Sequence, residues 1–127
     1  MLIFGNSIEL ASRSLDFLWK KESAINDNLS NVETPGYKAK IVTFEEEFGS
    51  RLREAAQGGT RQSFRDAILG AKARVETSKE ESVRADGNNV NADTQLIEMT
   101  RTALQYQYLL SSVNSDITML NTVIKGQ

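Results

Sequence analysis

Two stretches hold side chains whose types and spacing could do chemistry. Asp86-Gly87-Asn88 has the form of the opening of a calcium loop, with oxygen ligands two residues apart. The match stops there, because Val90 falls where the next ligand belongs and Ile97 where the bidentate carboxylate belongs. The second stretch is Glu45-Glu46-Glu47, carboxylates of the kind that serve as general acid and base. They lack company: the chain has no His and no Cys, which removes the commonest general base, the commonest transition-metal ligand and any thiolate nucleophile. No nucleophile–base arrangement and no phosphate-cradling glycine loop is visible. Acids at the start of a predicted helix favour its dipole without doing chemistry. The expectation is a chain that is not an enzyme, with no cofactor, no metal and no small-molecule substrate.

Composition narrows the class further. The 127 residues suffice for one domain, 1–127, and the net charge of −2 gives no electrostatic reason to bind nucleic acid. No apolar run approaches the ~20 residues of a membrane span. Met1 to Gly5 carries no basic residue, so it does not read as a Sec signal peptide. The chain is expected to be made in the cytosol and, if it leaves, to leave by another route.

The elements come from periodicity. Leu96, Met99, Ala103, Tyr106, Leu110, Val113, Ile117, Leu120 and Ile124 recur at alternating steps of three and four, without Pro or Gly between Asn88 and Lys125. This is the seam of a coiled coil. Ile8, Ala11, Leu15, Leu18, Ile25 and Leu29 repeat the pattern near the other end, with one polar interruption at Glu22. The predicted fold is mainly α: an elongated coiled-coil pair of an N-terminal helix (7–32) and a C-terminal helix (91–124). Ser7 is the expected cap of the first, Asn91 or Asp93 of the second. A short third helix is predicted from about Phe44 to Ala56, opened by a capping box of Thr43 and Glu46 and closed by Gly58-Gly59. Residues 57–85 read as an irregular, flexible or weakly ordered excursion.

Off the seams lie further apolar side chains. Leu10 and Phe17 occupy a second face of the first helix, and Ile97, Leu104, Tyr108 and Met119 lie beside the second seam. Between Asn91 and Ile124 the only charged residues are Asp93, Glu98, Arg101 and Asp116. A face poor in charge suits burial against other chains, and these six apolar residues are the candidate assembly surface. A small bundle with a mildly polar surface fits the same composition equally well.

Between the helices stands Thr34-Pro35-Gly36-Tyr37, which reads as a type II turn, with Pro35 fixing φ and Gly36 supplying φ > 0. Asn28-Leu-Ser-Asn31, then this turn and Lys38, then Phe44-Glu-Glu-Glu-Phe48, resembles the N-terminal signature of the flagellar rod and hook protein family. Asp86-Gly-Asn-Asn-Val90, followed by a helix with Glu98-Met99 and Gln105-Tyr106-Gln107, is similar to the subunits of its proximal rod. Ser30 and Asn91 depart from the family pattern, without touching the seams. The resemblance implies a structural subunit that passes torque from motor to hook. It implies, as partners, other rod proteins, a rod-base adaptor protein and the flagellar export apparatus. It places the chain in the periplasmic rod of the basal body, exported without a cleaved signal peptide, and it makes Asn28 and Asn31 part of the turn motif. The other reading of the heptads is a cytosolic coiled-coil adaptor or export chaperone.

Overall fold

The computed structural model describes residues 2–126, with side chains from Gly5 onward; Met1 and Gln127 of the expected domain lie outside the described residues. The order of elements is α1 (Leu2–Ser30), β1 (Lys40–Thr43), α2 (Glu45–Gly58), α3 (Arg61–Gly70), β2 (Arg74–Thr77) and α4 (Ala92–Lys125). The fold is mainly α, as the periodicity predicts, with the two longest helices at the two ends of the chain. They run antiparallel: Ser7 meets Asp116, Lys21 meets Glu98 and Asn28 meets Gln95. Among the described residues no helix is long and apolar enough to cross a membrane.

Midway along this pair sits the core. Phe17 of α1 stacks on Phe44 at 4.8 Å between ring centroids, and Phe44 stacks on Phe48 at 5.1 Å. Leu18 and Ala71 complete the buried cluster, with Val42, Ala73 and Leu109 against it. Offset-stacked aromatics add to the apolar area they bury. Phe17 is 5% exposed: it was expected on an outer face and is instead the contact on which α2 is mounted. The reason is that α2 and the sheet fold back over α1, which a pattern read along one helix cannot reveal.

The capping expectations are partly replaced. α1 begins at Leu2, so Ser7 lies inside the helix and its hydroxyl donates to Asp116 at 2.6 Å instead of capping. Thr43 is the last residue of β1, paired with Arg74, and cannot open a helix. Phe44 takes the N-cap position without a side-chain bond, while Glu45, Glu46 and Glu47 fill the first turn. Gly59 closes α2 in the left-handed region. The Asn91 side chain caps α4, accepting from the Thr94 N–H at 3.1 Å.

Within residues 57–85, expected to be weakly ordered, the structure holds α3 and β2. Thr60 caps α3, whose Ala67 and Ile68 are buried. β2 runs antiparallel to β1 with Lys40 opposite Thr77 and Thr43 opposite Arg74. Gly70 and short apolar runs hid both elements from a periodicity reading.

Candidate assembly surface

The helix pair is fastened where α1 ends and α4 is about to begin. The chain leaving α1 turns at once, and the carbonyls of that turn need partners. Here the buried amide of Asn88 donates to the carbonyls of Asn31, Val32 and Thr34 at 2.9, 3.1 and 2.8 Å, and its oxygen accepts the Val90 N–H at 2.8 Å. Arg84 adds a bond to the Val32 carbonyl at 2.8 Å. The predicted turn is present: Gly36 has φ +73° and Tyr37 N–H donates to the Thr34 carbonyl. Gly36 N–H also donates to the Asp86 carbonyl at 2.8 Å, so the two motif stretches read from the sequence meet backbone to backbone.

Asn28 and Asn31 have distinct tasks. Asn31 donates to the Asp27 carbonyl and accepts from the Thr34 hydroxyl. Asn28, buried, donates to Gln95 of α4 at 3.0 Å and to the Lys40 carbonyl, and accepts from the Lys40 N–H and the Tyr37 hydroxyl. The Asp86 carboxyl is held below its ordinary range, chiefly by the Asn88 N–H and then by Arg84. Both side chains that opened the failed calcium loop are thus committed to protein groups.

The rotation of α4 about its own axis decides which residues face outward. Gln95, Glu98, Thr102, Gln105, Leu109 and Asp116 face α1 and the core. The predicted seam lies one residue further along from Leu96 to Leu110; beyond that Val113 and Leu120 stay half-buried while Ser112 and Met119 are exposed. One residue is about 100° of rotation on an α-helix. Leu96, Ala103, Tyr106, Leu110, Ile117 and Ile124 are accordingly exposed, while Met99, Val113 and Leu120 are half-buried at the rim. On α1 the seam fares better: Ala11, Leu18 and Ile25 are buried, Leu15 and Leu29 half-buried, and Ile8 exposed. Two contacts impose this rotation, Gln95 on Asn28 at the start of α4 and Leu109 on the aromatic cluster further along. The inward stripe steps by three and four from Gln95 to Leu109 and resumes a heptad later at Asp116, and its largely polar residues hid it. Among the described residues it leaves the Oγ1 of Thr102 and the Oε1 of Gln105 buried without partners.

The outer face of α4 is therefore both apolar and nearly free of charge. Of the five charged residues of α4, Asp93 and Lys125 lie in its first and last turns, and Glu98 and Asp116 are engaged by Lys21 and Ser7. Arg101 is drawn toward Glu98 at 3.6 Å. Ile97 and Tyr108, 67% and 77% exposed, line an open groove with Leu96, Thr100 and Leu104. Met119 is exposed further along, while Leu10 is half-buried on α1. Trp19, which the sequence reading left out of the surface, is 68% exposed.

The chain is similar over almost its whole length to flagellar basal body rod proteins named FlgB. It is 31% identical to that of Borrelia hermsii, covering 98% of this chain and all of the relative. It is 29% identical to that of Bacillus subtilis strain 168, covering 99% of this chain and 98% of the relative. With the Aquifex aeolicus protein it shares 27% over 94% of each. No protein-family profile matches the chain.

Proposed function

The chain belongs to the FlgB family of flagellar basal body rod proteins, and from that premise we propose that it is a structural subunit of the rod which joins its neighbours through the outward face of α4. The observation that carries this reading is the placement of the charges. Glu98 and Asp116 are turned inward, leaving a helical face of Leu96, Ile97, Leu104 and Tyr108 with Arg101 at its margin. Apolar surface exposed in one chain and poor in charge is what repeated contacts between subunits bury. Neighbouring rod proteins are the partners. The finer parts of the reading are a position at the base of the rod, contact with a rod-base adaptor, transit through the flagellar export apparatus and transmission of torque. They rest on the motif pair around Gly36 and Asp86. The chain acts as a single domain with α1 and α4 as its frame. A cytosolic adaptor, the other reading of the heptads, is not favoured by these relatives.

The test is a Leu104→Ala, Tyr108→Ala double substitution in the chromosomal copy. Both side chains are exposed in the single chain, so helicity and thermal midpoint should stay within the small range of surface substitutions, about 0.5 kcal/mol each. Rod assembly and swimming should fall sharply, because buried Tyr is a common anchor of interfaces. Normal swimming by exported double mutant would show that this face is not an assembly surface.

A further inference from the structure

The two edges of the small sheet are finished differently. At Lys40 the outer edge of β1 is closed by Asn28, whose amide donates to the Lys40 carbonyl at 2.9 Å and accepts the Lys40 N–H at 2.7 Å. These are the two bonds that a neighbouring strand would make. The outer edge of β2 has no such cover. Ser78 N–H donates to the Ala39 carbonyl at 2.7 Å, and backbone groups alternate along a strand. Glu76 and Arg74 therefore turn theirs toward β1, while Val75 and Thr77 turn theirs away. Among the described residues no loop or side chain bonds to the outward groups, and all four residues of β2 are exposed. β2 is short and carries no proline, bulge or lysine, and its two charged side chains, Arg74 and Glu76, are of opposite sign.

We infer that this edge pairs with the same edge of a second copy of the chain, antiparallel, about a twofold axis at Val75. Backbone direction permits such an axis as a hydrogen-bonded pair at Ala73, Val75 or Thr77, whose groups face outward, or as a non-hydrogen-bonded pair at Arg74 or Glu76, where it would set arginine against arginine or glutamate against glutamate. An axis at Ala73 sets Arg74 opposite Lys72, two like charges, and one at Thr77 sets Val75 opposite Lys79. The axis at Val75 sets valine against valine and places Arg74 of each copy opposite Glu76 of the other, a matched pair made twice. Arg74 is free to turn, being 64% exposed and held only by a 3.8 Å contact to Glu47. Val42 already faces Val75 within the chain, so the pairing lines up four valines across one face of a four-stranded sheet. A two-stranded ribbon is marginal alone, and added strands stabilise it. A twofold contact closes on itself and does not propagate. The dimer is a form of the chain outside any polymer, and the inference stands apart from the rod reading.

The absence of cysteine makes the test clean. Paired hydrogen-bonded residues on antiparallel strands have Cα atoms about 5.5 Å apart, within disulfide reach. Oxidised Val75→Cys should run as a covalent dimer on a non-reducing gel, whereas Val83→Cys, fully exposed outside the strand, should cross-link far more slowly. By sedimentation equilibrium the unsubstituted chain should pass from one-chain to two-chain mass as concentration rises. Arg74→Glu or Glu76→Arg alone should lower the association constant several-fold, and the two together should restore it. A one-chain mass at every concentration overturns the inference. So does cross-linking of Val75→Cys no faster than Val83→Cys, or association indifferent to the charge reversals.

Discussion

The carboxylate of Glu98 on α4 lies 2.8 Å from the ammonium of Lys21 on α1, a rung of opposite charges between the two long helices. The bond from Lys21, ahead of the pull of Arg101, holds the Glu98 carboxyl below its ordinary value of 4.5 against partial desolvation. An acid with a depressed folded pKa stabilises the fold in full above the unfolded value, and that contribution is lost as pH falls through the folded one. The thermal midpoint should therefore drop as pH is lowered below about 4.5. Glu98→Gln should flatten part of that slope. Asp86, also depressed, carries a share of it in the same range. Midpoints measured by circular dichroism for both chains across the acid range check this, and identical slopes would show the rung to be inert.

The one-residue rotation of α4 makes neighbouring leucines behave differently. Leu109 packs on the aromatic cluster, while Leu110 is 40% exposed. Leu109→Ala should cost about 2–3 kcal/mol of unfolding free energy. Leu110→Ala should cost under about 1 kcal/mol. Urea titration of the two variants reads the difference. The reverse order would mean that the apolar stripe, and not the polar one, faces α1.

Asn88 gathers three carbonyls at the end of α1. Asn88→Ala should cost about 1–3 kcal/mol, since it removes the buried amide that holds the carbonyls of Asn31, Val32 and Thr34 together. Asn88→Asp should be no better, because a carboxylate offers no donor and would face three carbonyl oxygens. Amide exchange would locate the damage at the C-terminal turns of α1 first. Loss confined to α4 would contradict the assignment of Asn88 as the clasp.

Gly36 tests the turn itself. A Cβ at Gly36 meets nothing within 4 Å, so the cost of Gly36→Val is backbone strain at φ +73° alone. That is about 1–2 kcal/mol for a β-branched residue in the left-handed region. Gly36→Asn, which tolerates that region, should recover most of it. Equal stability of the valine variant and the native chain would remove the type II turn.

Much of this fold could be read from the residues. The two long helices, α2, the turn at Thr34–Tyr37 and the Asn91 cap follow from spacing and side-chain chemistry that act within a few residues. What escaped reading was tertiary. The rotation of α4 is fixed by Gln95 meeting Asn28 and by Leu109 meeting Phe17 and Phe44, partners far away along the chain. Phe17 joined the core for the same reason. On the candidate surface, Ile97, Leu104, Tyr108 and Met119 are exposed as expected, while Phe17 is not and Leu10 only partly. The apolar heptad on α4 lies mostly on the outer face, with Met99, Val113 and Leu120 half-buried at its rim.

The antiparallel meeting of α1 with α4 bears on when the chain can fold. Ser7 finds Asp116 across 109 positions, and Asn28 finds Gln95 across 67. Contacts so distant along the chain are slow to form, because a long loop must close before any of them is rewarded. A growing chain carries its first helix long before the last is synthesised, and an unpartnered helix of this kind is marginal in water. The frame of the molecule is thus completed only by its final third.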